Sequence, residues 1–202
     1  MRKKNNASSR LKHGKFMKDS MVLGSVAGLI GTSLMVLSNQ MIYNKKKTEI
    51  RYGNIAGSIF MKPHKTKKPK NFLLGQIFHF ANGSAIGVLL VELYKKYGTD
   101  YSLLKGAMVG MATWEILYTG GQRIGIYSSA PHLTKTGYSA IWNNLVYGIS
   151  TSYAIRWLAH PSVFAETNKA YNQASLNRVN NMENKLIIEE NIQSDKQPKM
   201  LH

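Results

Sequence analysis

Charged residues in this chain are crowded into short clusters, and the stretches between the clusters are apolar. No Asp, Glu, Lys or Arg occurs within residues 20–44, 71–91 or 136–155, and a fourth stretch, 106–122, contains one acidic residue, Glu115. About 20 helical residues, each rising about 1.5 Å, cross the roughly 30 Å hydrocarbon core of a bilayer. Each stretch reaches or approaches that length. The pattern therefore predicts four transmembrane helices.

The predicted fold is all-α, an integral membrane four-helix bundle with a polar tail at each end. The helices are expected at about residues 21–43, 71–94, 103–125 and 138–158 of a transmembrane domain that covers 19–161. Residues 1–18 form a basic N-terminal tail, and residues 162–202 form a polar C-terminal tail that is partly helical. Aromatic residues such as Tyr94 fall at the predicted helix ends, where amphipathic rings prefer the headgroup level.

The formal net charge of +17 lies beside and between the predicted helices, because residues 162–202 carry equal numbers of acidic and basic side chains. Basic clusters next to apolar spans favour anionic lipid headgroups over nucleic acid as the partner. The lysines expected at headgroups flank the first loop: Lys45, Lys46, Lys47, Lys65, Lys67, Lys68 and Lys70. The chain has no cysteine, which excludes disulfides, thiolate catalysis and Cys-ligated zinc.

Small residues recur at four-residue spacing in every predicted helix. They are Gly24, Gly28, Gly83, Gly87, Gly106, Gly110, Gly148 and Ser152. In lipid no hydrophobic gradient drives helices together, so close backbone approach at such positions supplies the packing energy. The main interpretation is packing within one bundle, and the alternative is that some of these faces form homo-oligomers.

The same spacing suggests an internal duplication of a two-helix unit. Gly24 and Gly28 of helix 1 match Gly106 and Gly110 of helix 3, and the spacing around His79 in helix 2 matches that around residue 144 in helix 4. The matches keep their order along the chain, as two tandem repeats would. Few residues match, so chance is an equally good explanation.

One acidic residue, Glu115, lies inside an otherwise apolar span, where a charge is costly and marks a functional hypothesis. Polar residues that could face it lie in three predicted helices: Thr119, Gln122, Gln76, His79, Asn82, Asn143 and Asn144. Together they would make a polar interior that passes a proton, a cation or a small polar solute. The alternative is that these groups bond to one another and only fix helix register.

The direction of insertion is not determined by the basic residues, since seven Lys/Arg precede helix 1 and nine lie in the loop of residues 44–71. A short basic tail is difficult to translocate, which favours cytoplasmic termini. Within that loop, Ile50, Ile55, Ile59 and Phe60 indicate a short amphipathic helix in the membrane interface. No phosphate loop, dinucleotide fingerprint or metal-binding spacing is present, so the sequence predicts no catalytic residues, cofactor or metal.

Three runs of residues resemble a known group of proteins. They are KTEIRYGNIAGSIFMKP, LLKGAMVGM and LTKTGYSAIWNNLVYG. They are similar to an uncharacterised family of small four-helix membrane proteins from spore-forming Gram-positive bacteria, over about residues 18–162. The resemblance implies a multi-pass protein of the bacterial cytoplasmic membrane and no catalytic residue.

The sequence as a whole favours a non-enzymatic structural or interaction component that contacts anionic lipid or a protein partner. The alternative function is a small transporter or channel that uses Glu115. The two differ in what Glu115→Gln should do, because a scaffold tolerates this nearly isosteric change and an ion pathway loses flux.

Overall fold

The computed structural model describes residues 17–49, 51–125 and 134–195, and within these ranges the chain is helical without a strand. The helices are α1 Ser20–Asn44, α2 Tyr52–Ser58, α3 Pro63–Thr66, α4 Pro69–Tyr97, α5 Ser102–Thr113, α6 Gly121–Arg123, α7 Thr134–Leu158 and α8 Ala165–Asp195. A π-helical turn, Trp114–Gly120, joins α5 to α6, and a 3₁₀ turn, Pro161–Phe164, precedes α8. The predicted all-α class is confirmed.

Two of the described helices, α1 and α4, are long and apolar enough to cross a membrane. Helices with this length and composition also occur in the cores of soluble proteins, so a membrane bundle of four helices stays a prediction. The predicted helices 1, 2 and 4 coincide with α1, α4 and α7 to within a few residues. Predicted helix 3 corresponds to α5, the π-helical turn and α6 in succession.

Local sequence explains where the long helices begin and end. The Asp19 carboxylate accepts hydrogen bonds from the backbone N–H groups of Met21 and Val22, at 2.8 and 2.9 Å, and so caps α1. Pro69 begins α4, where its missing N–H costs nothing. Gly98 ends α4 with a φ of +81°, a conformation that glycine adopts without strain.

The four long segments pack in the order α4–α1–α7–α5. The two inner helices, α1 and α7, contact each other extensively, whereas the outer helices α4 and α5 make few contacts, among them the bond from the Tyr94 hydroxyl to the Ser102 carbonyl near their connecting turn. Gly31 lies in the α1–α7 interface, where an added Cβ would lie 3.0 Å from the Tyr147 carbonyl oxygen and would overlap the Thr151 hydroxyl. Because α4 and α5 make few contacts, a gap separates α4 from most of α5.

Glycines bring α1 and α4 into backbone contact. A Cβ on Gly24 would lie 2.7 Å from the backbone nitrogen of Val88, and one on Gly28 would overlap the carbonyl oxygen of Gly83. A Cβ on Gly87 would lie 2.8 Å from Gly28 backbone atoms. All of these neighbours are main-chain atoms, so no side-chain rotation could make room.

A second crossing of the same kind joins α5 to α7. A Cβ on Gly106 would lie 2.6 Å from the Ser152 Cβ, and one on Gly148 would overlap the Gly106 carbonyl oxygen. Gly110 packs in the same way against the Asn144 carbonyl. The α1–α4 and α5–α7 pairs thus cross through the positions that the sequence repeat aligns.

Tyr94 lies near the end of α4, as predicted, but its side chain is fully buried in the core. Its hydroxyl donates a hydrogen bond to the Ser102 carbonyl at 2.7 Å, and the Ser152 hydroxyl donates to the same oxygen at 2.7 Å. These bonds join the end of α4, the beginning of α5 and the middle of α7. A tyrosine that is buried with its hydroxyl satisfied behaves as a core residue.

The short helix α2 packs against α4, since a Cβ on Gly53 would lie 2.9 Å from the Gln76 side chain and one on Gly75 would overlap the Gly53 carbonyl. Ile55 is buried, whereas Ile59 and Phe60 follow the helix and are exposed. Ile50 lies outside the described residues. The loop therefore contains a short helix, which is held by α4, and its location in a membrane interface stays a prediction.

Both tails leave the helices at the same end. The Met17 N–H donates to the Leu158 carbonyl at 3.2 Å, and the His160 N–H donates to the Met17 carbonyl at 2.9 Å. The C-terminal tail continues as α8, a helix of 31 residues whose apolar side chains are exposed: Leu176, Val179, Met182, Leu186 and Ile187. Residues 1–16 and 196–202 of the predicted tails lie outside the described residues.

Candidate functional site

A cavity of about 500 Å³ lies between α4 and the π-helical turn. Residues of α4 and of Thr113–Tyr118 form its two sides, α1 and α7 contribute Met35 and Asn144, and α2 closes one end with Tyr52 and Ile55. Ligand pockets of proteins commonly enclose about 300–1,000 Å³, are mostly apolar and hold a few convergent polar groups. This cavity meets each of these criteria.

Four of the polar side chains that line the cavity lie at its inner end. His79, Asn82, Thr113 and Asn144 line both the main cavity and a recess of about 30 Å³ that lies deeper between the helices. A recess of that size holds about one water molecule. The outer part of the cavity is apolar and is lined by Ile59, Phe60, Phe78, Ala81 and Leu117.

His79 is held in place by α2. Its ring stacks on the Tyr52 ring with a centroid distance of 5.0 Å and an angle of 7° between the planes. Its Nε2 is buried and has no hydrogen-bond partner in the described part of the chain. Buried polar atoms are nearly always hydrogen-bonded, so an unsatisfied nitrogen at the wall of a cavity indicates room for a partner.

A hydrogen-bond network beside the cavity fixes Tyr52. The Ser38 hydroxyl of α1 donates to Asn143 Oδ1 of α7 at 2.7 Å, and the Tyr52 hydroxyl interacts with the same Asn143 side chain. Burial raises the pKa of the Tyr52 hydroxyl above its usual value, so this group stays protonated. Asn143 therefore connects α1, α2 and α7, and it lies outside the cavity lining.

The neighbouring Asn144 orients its amide by donating from Nδ2 to the Ala140 carbonyl at 2.8 Å. The Tyr147 hydroxyl, one turn further along α7, donates to the Gly83 carbonyl of α4 at 2.6 Å. Gln76 lies against α2, with its Oε1 buried and without a hydrogen-bond partner in the described residues. The polar residues predicted on helices 2 and 4 thus divide between the cavity and its supporting contacts.

Glu115 does not join this group, contrary to the polar interior that the sequence suggested. Its side chain is exposed and does not line the cavity, whereas Thr119 and Gln122 are partly buried. The reason is the π-helical turn, in which hydrogen bonds close over five residues and each residue turns through a smaller angle than in an α-helix. Glu115 and Gln122, which are seven residues apart, consequently no longer share one face. Gln122 instead interacts with the Tyr118 hydroxyl.

A second feature is the basic loop between α1 and α4, defined as residues 45–70. Its lysines are all exposed: Lys45, Lys46, Lys47, Lys62, Lys65, Lys67, Lys68 and Lys70. Arg51 anchors the loop, since its guanidinium lies 5.4 Å from the centre of the Tyr43 ring and 4.2 Å from that of Phe72. Such cation–π contacts hold the guanidinium over α1 and α4 while the lysines face outward.

Sequence reasoning missed Tyr52, Met35 and the π-helical turn as parts of the site. One signal for the first was present, because Gly53 and Gly57 repeat the four-residue spacing found in the long helices and so indicate that this loop packs closely. The described residues hold no group of three His, Asp or Glu side chains that could bind a metal ion.

Comparison with known proteins finds no matching family model, no similar curated protein and no similar solved structure.

Proposed function

We propose that this chain is a multi-pass integral membrane protein that acts by contact and not by catalysis, as a structural or interaction component whose basic loop binds anionic lipid headgroups. The observation that carries the proposal is the reversed polarity of the helix faces, taken together with the position of the lysines.

The outward faces of the long helices carry large apolar side chains. Leu37 of α1, Leu73 of α4 and Met108 of α5 are 60%, 62% and 64% exposed. Trp142 and Trp157 of α7 are also exposed. Soluble monomers rarely expose apolar surface that is continuous over several helices, whereas such surface is the expected one against lipid.

Polar side chains lie inside instead. Thr32, Asn143, Thr151 and Ser152 are fully buried between the helices. Interhelical contacts through small and hydroxyl residues are typical of helices that associate in a membrane, where burying apolar side chains gains little free energy. An apolar exterior and a polar, closely packed interior together support immersion in lipid.

The basic loop lies at the end where α1 finishes and α4 begins, so its lysines form one surface beside the apolar faces. Each lysine near an anionic surface contributes about 1 kcal/mol of attraction. Both tails emerge at the opposite end. We place that end in the cytoplasm, as the short basic tail suggests, and we place the protein in a bacterial cytoplasmic membrane on the basis of the family resemblance.

The test compares two triple variants of equal charge in proteoliposomes. Lys65→Gln, Lys67→Gln and Lys68→Gln remove three loop charges, and Lys169→Gln, Arg178→Gln and Lys185→Gln remove three from α8. The measurement is the enrichment of phosphatidylglycerol over phosphatidylcholine among the lipids that remain bound to the purified protein. At about 1 kcal/mol for each lysine, the loop variant should lose up to about a hundredfold in preference.

The control variant should keep the preference of the wild type. Equal lipid preferences in both variants would refute headgroup binding by the loop. Recovery of the wild-type chain as a folded monomer without detergent or lipid would refute membrane insertion itself.

A further inference from the structure

We propose that the cavity between α4 and the π-helical turn binds a lipophilic molecule with an uncharged head that carries a hydroxyl or a carbonyl group. The head would lie at His79, Asn82 and Asn144, and the apolar body would lie between the aromatic side chains of the mouth. This site is distinct from the basic loop and needs no anionic headgroup.

The amphipathic lining is the first argument. The inner end offers an imidazole, two carboxamides and a threonine, and the mouth offers Phe60, Phe78 and Leu117. A second surface groove, about 660 Å³ in volume and lined by residues such as Ile30, Trp142 and Trp157, exposes almost no polar surface. A simple hydrocarbon chain would fit that groove as well as a molecule with a polar head would. The polar inner end therefore selects for a molecule with a head.

The lining of the cavity also determines which kind of head group fits. No charged side chain lies among the described residues that line the cavity, and Glu115 is directed elsewhere. A carboxylate, phosphate or ammonium group would be buried there without a counter-ion, which is unfavourable. A hydroxyl or a carbonyl can instead satisfy the buried His79 Nε2, which lacks a partner in the described chain.

The third argument concerns access. Because α4 and α5 make few contacts with each other, the mouth lies between the outer helices, and the Phe60 and Phe78 side chains that line it are exposed. A lipophilic molecule can enter sideways along that surface. The backbone that forms this wall is a π-helical turn, a distortion that recurs at functional sites.

The experiment uses the full chain in nanodiscs of phosphatidylcholine and a hexadecanol analogue that carries a photoreactive diazirine in its chain. After irradiation, mass spectrometry locates the labelled residues. We expect labelling to concentrate on residues 78–82 and 113–118. Unlabelled hexadecanol should compete at least tenfold more strongly than hexadecanoate or hexadecyltrimethylammonium of the same chain length.

Three variants test the location and the head contact. Ala81→Trp and Ala56→Trp fill the mouth from α4 and from α2, and each should abolish the concentrated labelling. Ile149→Trp places the same bulk on the exposed face of α7, outside this cavity, and should leave it unchanged. His79→Phe keeps a ring beside Tyr52 but removes Nε2, and should weaken competition by hexadecanol about tenfold, the effect of one buried hydrogen bond.

Variants are compared only where circular dichroism shows the helical content of the wild type. The two filling substitutions lie on different helices, so the test can still be made if one of the two variants misfolds. Labelling spread evenly over all outward helix faces would overturn the proposal. So would equal competition by the charged amphiphiles, or concentrated labelling that persists in a folded filling variant.

Discussion

Replacing Gly87 by alanine tests whether backbone contact between α1 and α4 holds the helices together. The new Cβ would lie 2.8 Å from the Gly28 Cα and N atoms and would overlap the Gly24 carbonyl oxygen. Atoms in contact prefer a separation of roughly 3.5 Å or more, so relieving the 2.8 Å contacts alone moves the helices apart by about 0.7 Å, and the overlap with the Gly24 carbonyl oxygen requires more. Main-chain atoms cannot rotate away, and the whole crossing must adjust.

The expected magnitude follows from two opposing effects. Overpacking of this kind costs about 1–3 kcal/mol, and an obstacle made of backbone places Gly87→Ala near the upper end, at about 3 kcal/mol. Alanine favours the helix over glycine by about 1 kcal/mol. The free energy of unfolding should therefore fall by about 2 kcal/mol.

The assay is reversible unfolding by titration with dodecyl sulfate in mixed micelles, followed by circular dichroism. Gly137→Ala is the matched control, because nothing lies within 4 Å of a Cβ at this position on α7. The control should be as stable as the wild type or up to about 1 kcal/mol more stable. If Gly87→Ala proves no less stable than Gly137→Ala, backbone contact at Gly87 does not hold α1 and α4 together.

Two further substitutions test the polar residues. Glu115→Gln alters an exposed side chain and should change the free energy of unfolding by less than about 0.5 kcal/mol. Proton and potassium flux in proteoliposomes should be the same for the wild type and the variant. Flux that disappears from a folded variant would establish an ion pathway at Glu115. Asn143→Leu removes the acceptor of the Ser38 hydroxyl and the partner of Tyr52. It should lower the free energy of unfolding by about 1–3 kcal/mol in the dodecyl sulfate titration. An unchanged midpoint would contradict the role of Asn143 in joining three helices.

The long helices could be predicted from the sequence because charge is excluded from residues that lie against apolar surroundings over a whole helix length. This rule placed α1, α4 and α7 to within a few residues. It could not detect the π-helical turn at 114–120, since the composition of that turn, WEILYTG, does not distinguish it from an α-helix. The sequence therefore did not indicate that Glu115 is exposed and lies outside the cavity lining.

The candidate site was predictable only where it uses polar residues inside apolar windows. His79, Asn82 and Asn144 stand out for that reason, and the structure gathers them at one end of the cavity. Tyr52 lies in a loop that looked peripheral, and its contact with His79 depends on how α2 packs on α4. Met35 is an apolar residue in an apolar helix, so no pattern distinguishes it from its neighbours.

The order α4–α1–α7–α5 also has a mechanical consequence. Each outer helix is joined to an inner one by close glycine contacts, and the two resulting pairs meet along the α1–α7 interface at Gly31. We expect the pairs to behave as rigid halves that hinge at this interface, so that a small rotation widens or narrows the mouth of the cavity. The Tyr147–Gly83 hydrogen bond crosses from one half to the other and would oppose a rotation that separates them. Entry would then be controlled by a motion of whole helices.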